Sequence, residues 1–115
     1  MKILHLASKN DWDAALATGS YRVSTRGASI DDVGFIHASA PDQLREVAEF
    51  VYADCEEALV VLEMDDAAIR ATGTEVRYED GGDGELYPHI YGPIRPADVT
   101  EILPAGFDSE GRFTV

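Results

Sequence analysis

Short apolar runs separated by glycine, proline and acidic residues recur along the chain, and two periods alternate among them. Residues 2–7 (KILHLA) are almost wholly apolar and read as a first, largely buried strand. Ser8 then starts a helix, with Asp11 three residues later as a capping-box partner. Trp12, Ala15 and Leu16 have the i, i+3, i+4 spacing of a buried helical stripe, and Gly19 follows as a C-cap. Residues 20–33 are polar and irregular, the longest stretch without a period, and carry Tyr21, Arg22, Ser24 and Arg26.

The run at 34–38 within Gly34-Phe35-Ile36-His37-Ala38-Ser39 predicts a second strand. Alternation puts Phe35, His37 and Ser39 on one face and Ile36 and Ala38 on the other. Ser39 or its neighbour should cap a second helix, with Pro41 in its first turn. Leu44, Val47, Ala48 and Val51 mark that helix's apolar side. Residues 57–64 (EALVVLEM) predict a central strand, and Asp65 caps a short turn through Ile69. Residues 74–79 (TEVRYE) alternate, with Val76 and Tyr78 opposite Glu75, Arg77 and Glu79. The Asp80-Gly81-Gly82-Asp83-Gly84 turn should return the chain antiparallel along 85–91 (ELYPHIY). A turn at Arg95-Pro96-Ala97-Asp98, a strand at 98–103 and a hairpin arm over 107–115 complete the pattern.

About six short strands with two main helices, both in the N-terminal half, predict a single α+β domain over 1–115 with a mixed or mainly antiparallel sheet. Composition narrows the function. With 22 acidic against 9 basic side chains the net charge is −13, which argues against nucleic acid as a partner. No apolar run is long enough to span a membrane or act as a secretory leader. The single cysteine, Cys55, fits a reducing cytoplasm, and its neighbours Asp54, Glu56 and Glu57 oppose a thiolate.

No phosphate loop, G-x-S-x-G elbow, paired cysteines or H-E-x-x-H motif is present. The chemistry-bearing feature is three histidines, His5, His37 and His89, each in a strand-like run. A sheet can bring such strands together into one pocket. Three histidines also suffice for a zinc site, but no His-x-His pairing supplies a local chelate, so no tightly held metal is expected.

Ile3-Leu4-His5-Leu6-Ala7 with Trp12, Gly34-Phe35-Ile36-His37-Ala38-Ser39, Val60 and Leu62-Glu63, Arg77-Tyr78-Glu79, and Tyr87-Pro88-His89-Ile90-Tyr91-Gly92-Pro93 together resemble the bacterial family called domain of unknown function 952. The resemblance covers about residues 1–103. That family has been grouped by remote similarity with the ADP-ribosyltransferase superfold, which implies a split sheet and a cleft for NAD. On that likeness His5 would bind the adenosine ribose, although Leu6-Ala7 stands where Gly-Thr or Gly-Ser is usual. His37 would occupy the second-motif strand, with Ser39 after it on the same face. Glu79 or Glu85 would be the carboxylate opposite an oxocarbenium-like transition state, beside a block centred on His89, Tyr91 and Gly92. Tyr91 or Tyr21 would stack on nicotinamide, and Arg22, Arg26 or Arg77 would meet the pyrophosphate. The implied function is binding of NAD or a related nucleotide, with transfer of ADP-ribose or action on a phosphorylated or ribosylated substrate. A non-catalytic nucleotide or small-molecule sensor and a histidine-based metal enzyme remain the alternatives.

Overall fold

The computed structural model describes all of residues 1–115. Nine strands, four short α-helices and one 3-10 turn make an α+β domain in which every paired strand is antiparallel. Strand β1 (Lys2–Ser8) runs into helix α1 (Lys9–Thr18). The Ser8 hydroxyl accepts from the Asp11 amide, and Gly19, at φ +82°, ends the helix in the left-handed region. Trp12 and Ala15 are buried as the spacing predicts, but Leu16 is 53% exposed, because the helix meets the sheet along a narrower stripe.

The stretch 20–33 is not irregular. It forms the hairpin β2 (Val23–Thr25) and β3 (Ala28–Ser29), then helix α2 (Ile30–Val33). Gly27, at φ +75°, makes the tight turn, and Asp32 accepts from the Ser29 amide in a capping box. Strand β4 is only Ile36–His37, since Gly34 closes α2 and Ser39 leaves to pair with Leu4. The next helix, α3 (Leu44–Val51), starts later than Ser39 or Pro41 suggests. Gln43 decides this. Its side chain accepts from the Ala40 amide and donates to Glu85 and the Leu86 carbonyl, fixing residues 40–43 as a turn.

Strands β5 (Leu59–Asp65), β6 (Glu75–Asp80) and β7 (Leu86–Tyr91) fall within two residues of their expected bounds. Asp65 accepts from the amides of Ala67 and Ala68 at the start of α4 (Asp66–Ala71). The predicted strand at 98–103 begins instead at β8 (Glu101–Phe107), after a 3-10 turn at Pro96–Asp98 held by Arg95 and Asp98. The final arm is β9 (Phe113–Thr114), hydrogen-bonded back to β8.

The strands sort into one sheet ordered β1-β5-β8-β9, a second ordered β4-β7-β6, and the β2–β3 hairpin. Two bonds between Leu4 and Ser39, 2.8 and 2.7 Å, stitch the first sheet to the second. Alternation along β1 and β5 sends side chains into two cores. Ile3, Ala7, Val60, Leu62 and Met64 face one shared with Trp12 and with Ile36, Val76 and Ile90 of the second sheet. Leu4, Leu6, Leu59 and Val61 face another, filled from α3 by Leu44 and Ala48. No helix is long and apolar enough to cross a membrane.

Candidate functional site

The site grows from the register of the second sheet. His37 pairs with His89, and His89 pairs with Arg77, so these three share a row across β4, β7 and β6. Directly opposed residues point to the same face, and steps of two keep to it. That face therefore carries Phe35, His37, Tyr87, His89, Tyr91, Arg77 and Glu79, while Ile36, Ile90 and Val76 go into the core.

Diagonal contacts knit this face. Phe35 stacks on His89, with ring centroids 3.9 Å apart and planes 12° from parallel. His37 lies 5.6 Å from His89 and 5.3 Å from Tyr87. Glu79 accepts from the Tyr91 hydroxyl and from His89 Nδ1 at 3.0 Å. These two donors hold the Glu79 carboxyl below its ordinary range. A carboxylate only accepts here, so His89 donates from Nδ1, and in the neutral ring Nε2 is left as an acceptor. This is the arrangement that poises an imidazole as a base. Arg77 is held 4.7 Å over the Tyr91 ring and forks onto Glu75 at 2.6 and 2.9 Å.

His5 belongs to the same neighbourhood but plays a different part. It is 3% exposed. Its Nδ1 lies 2.6 Å from the His37 carbonyl, which can only accept, so Nδ1 donates. Nε2 then accepts from the Tyr21 hydroxyl at 2.8 Å. Burial pushes its pKa down to about 4, and burial raises that of Tyr21. Both ring nitrogens of His5 are thus spent on the fold. His37 is also pushed down to about 4, first by burial and then by His89, yet no protein group bonds its ring nitrogens. His37 is therefore neutral at pH 7.

Beside His37 opens a groove of about 880 Å³. Phe35, His37 and Tyr87 form one wall, and Glu46, Glu49 and Phe50 of α3 form the other. Ser24, Thr25 and residues 81–83 also line it. Gly81 is required there, because a β-carbon would stand 2.4 Å from the Tyr87 ring. Tyr87 donates to Asp83 at 2.8 Å, the main reason its hydroxyl is pushed up to about 12.

The residues singled out in the sequence divide cleanly. His37, His89, Glu79, Tyr91 and Arg77 come together on the outer face of the second sheet. Ser39 and His5 lie beneath, lining with His37 a small cavity under the groove. Tyr21 is a core residue, 1% exposed, and has no open face for a ligand ring to stack on. Arg22 pairs with Asp31 at the surface, and Gly92 packs against Thr74 at the end of β7. Glu85 is bonded by Gln43 rather than by a histidine. No group of three His, Cys, Asp or Glu side chains is arranged to hold a metal ion. Tyr87 escaped the sequence reading of the site, although its two-residue offset from His89 carries the signal. Glu46 and Gln43 had no such signal, because only the packing of α3 brings them here.

This architecture, two antiparallel sheets with a histidine-bearing outer face, defines the class of domain. The chain belongs to the family described as protein of unknown function DUF952, whose model matches residues 6–102. It is similar to the crystal structure of protein CC0527 from Caulobacter crescentus, with a TM-score of 0.83, 29% identity, and 99% of this chain and 94% of that one covered. A double mutant of CC0527 gives 0.84 at 28% identity, over the same shares of the two chains. The solution NMR structure of CC0527 gives 0.77 at 28% identity, over 96% of this chain and 90% of that one. No curated protein matches the chain.

Proposed function

We propose that the groove is a binding site for a ring-bearing small molecule, with His37 the residue that contacts it. The observation that carries this reading is His37 itself. It stands in the wall of a groove large enough for a drug-sized ligand, and its two ring nitrogens have no partner in the protein. A neutral imidazole there offers one donor and one acceptor. Phe35 and Tyr87 beside it supply aromatic surface.

A nucleotide of the NAD type fits this reading through its nicotinamide end rather than its pyrophosphate. The three arginines proposed for phosphate are already committed, Arg22 to Asp31, Arg26 to Asp54 and Arg77 to Glu75. Catalysis would use His37 against the ligand, with Glu79 orienting His89 behind it. Titration calorimetry with nicotinamide, NAD and ADP-ribose, on the parent and on His37→Ala, tests the proposal. Binding of nicotinamide or NAD that is lost in His37→Ala supports it. Binding that survives the substitution, or binding of ADP-ribose alone, refutes it. Release of free nicotinamide from bound NAD would add transferase or hydrolase activity.

A further inference from the structure

We infer that the ligand of this groove is an organic cation, an aromatic or aliphatic ring carrying a protonated amine. The inference rests on the groove being a ligand site and specifies its charge. Three carboxylates border it, Glu46 and Glu49 on α3 and Asp83 on the opposite turn, and no Lys or Arg side chain lines it. Two of the three have protein partners. Glu49 accepts from the Phe113 amide at 2.9 Å, and Asp83 accepts from the Tyr87 hydroxyl and the Glu85 amide. Glu46 forms neither a hydrogen bond nor an ion pair with the protein, and it is exposed to the groove. Arg26, next to Thr25 in the chain, is paired with Asp54 and bonds the Val51 carbonyl at 3.0 Å.

Acidic residues alone would be a solvated surface. The independent observation is Ser24. It is fully buried at 0% exposed, and its hydroxyl is the one buried side-chain polar atom with no hydrogen-bond partner. It borders both the groove and the small cavity beneath it that His37 also lines. A buried hydroxyl left unpaired is unfavourable unless something else bonds it, and such groups are rare in native structures. Phe35, Phe50 and Tyr87 also line the groove, and Phe50 is 90% exposed. Aromatic faces attract an ammonium through their quadrupole, and carboxylates add to that attraction. A ring bearing a protonated amine would satisfy all three features. Its ammonium would meet Glu46 and Asp83, its ring the aromatic walls, and a polar atom on its body Ser24 and His37.

A matched trio of probes separates charge from shape: 2-phenylethylamine, 2-phenylethanol and phenylacetate, followed by NMR chemical-shift titration of the whole chain. The amine should bind most tightly and the carboxylate least, with shifts at Phe35, His37, Phe50 and Tyr87. Glu46→Gln should weaken the amine roughly fivefold and leave the alcohol unchanged. Added salt should act in the same direction. Ser24→Ala removes a hydroxyl with no partner in the protein, so it should leave the melting temperature unchanged or raised. An amine carrying a ring hydroxyl (tyramine) should lose about tenfold in that variant. Equal binding of amine and alcohol, dependent on His37 but indifferent to Glu46→Gln, overturns the charge assignment and leaves the groove as a ligand site. Preference for phenylacetate overturns it as well. Failure of all three probes to shift the groove residues overturns both the assignment and the site.

Discussion

The two sheets handle the same ingredients in opposite ways. The β1-β5-β8-β9 sheet is apolar on both faces along β1 and β5, because one face meets α1 and the second sheet while the other meets α3. The β4-β7-β6 sheet has one such face only, and its outer side carries histidine, tyrosine, arginine and glutamate. One histidine on each makes the contrast concrete. His5, in the first sheet, spends both ring nitrogens on protein partners. His37, in the second, spends neither. A strand covered on both sides leaves its polar groups no solvent, so each must be satisfied internally. A strand covered on one side can keep a group in reserve. A histidine in an apolar run is thus functional or structural according to what covers its side chain, not according to the run itself.

The largest effect is expected from His5→Ala. It empties a buried site and leaves the His37 carbonyl and the Tyr21 hydroxyl unpaired, so unfolding free energy should fall by about 3 kcal/mol or more. Chemical denaturation measures it, and a loss under about 1 kcal/mol would show that these bonds do not hold the sheets together.

His37→Ala sits next in size and has the opposite character. Ligand affinity should drop by about 1–3 kcal/mol while stability changes by no more than about 1 kcal/mol. Paired melting and titration curves decide between the two roles. A large melting shift without loss of affinity would move His37 to the structural side with His5.

A pH series sharpens the contrast further. Both His5 and His37 titrate near 4 in the fold, against an ordinary value of about 6.5. Between those values the unfolded chain binds the protons more readily, so stability is full above about pH 6.5 and falls on acidification towards pH 4. Each histidine contributes up to about 1.4 kcal/mol per pH unit to that slope. Denaturation midpoints across this window should show a shallower slope in His37→Ala, from which one depressed proton site is missing. Equal slopes in parent and variant would contradict the lowered value at His37.

The smallest expected effect is spectroscopic. In the parent, His89 should be the Nδ1–H tautomer, visible in nitrogen NMR as a protonated Nδ1 and a bare Nε2. Glu79→Gln should mix the tautomers, since the amide can donate as well as accept. An Nε2–H tautomer in the parent would remove the carboxylate's orienting role.

Much of this was legible in the chain. The Ser8 and Asp65 caps, the Gly19 stop and the β6–β7 hairpin each rest on contacts within a few residues. Period two also placed Phe35 and His37 on one face, and Arg77 and Glu79 on one face, before any pairing was known. The irregular reading of 20–33 missed a hairpin whose strands are only three and two residues long, too short for a period to show. What no local pattern could decide was the meeting of elements. His5 and His89 occupy similar apolar runs and both are buried, yet His5 is bonded to the His37 carbonyl and Tyr21 while His89 lies under Phe35 and is bonded to Glu79, because the two strands meet different neighbours. Tyr21 reads as an exposed loop aromatic until His5 takes its hydroxyl. The groove itself exists because α3, packed on the first sheet, brings Glu46 and Phe50 into a shared lining with His37 of the second. Sequence alone thus determined which side chains share a strand face, since that follows from backbone geometry. Tertiary structure decided which faces stay open, since that depends on which apolar surfaces find one another.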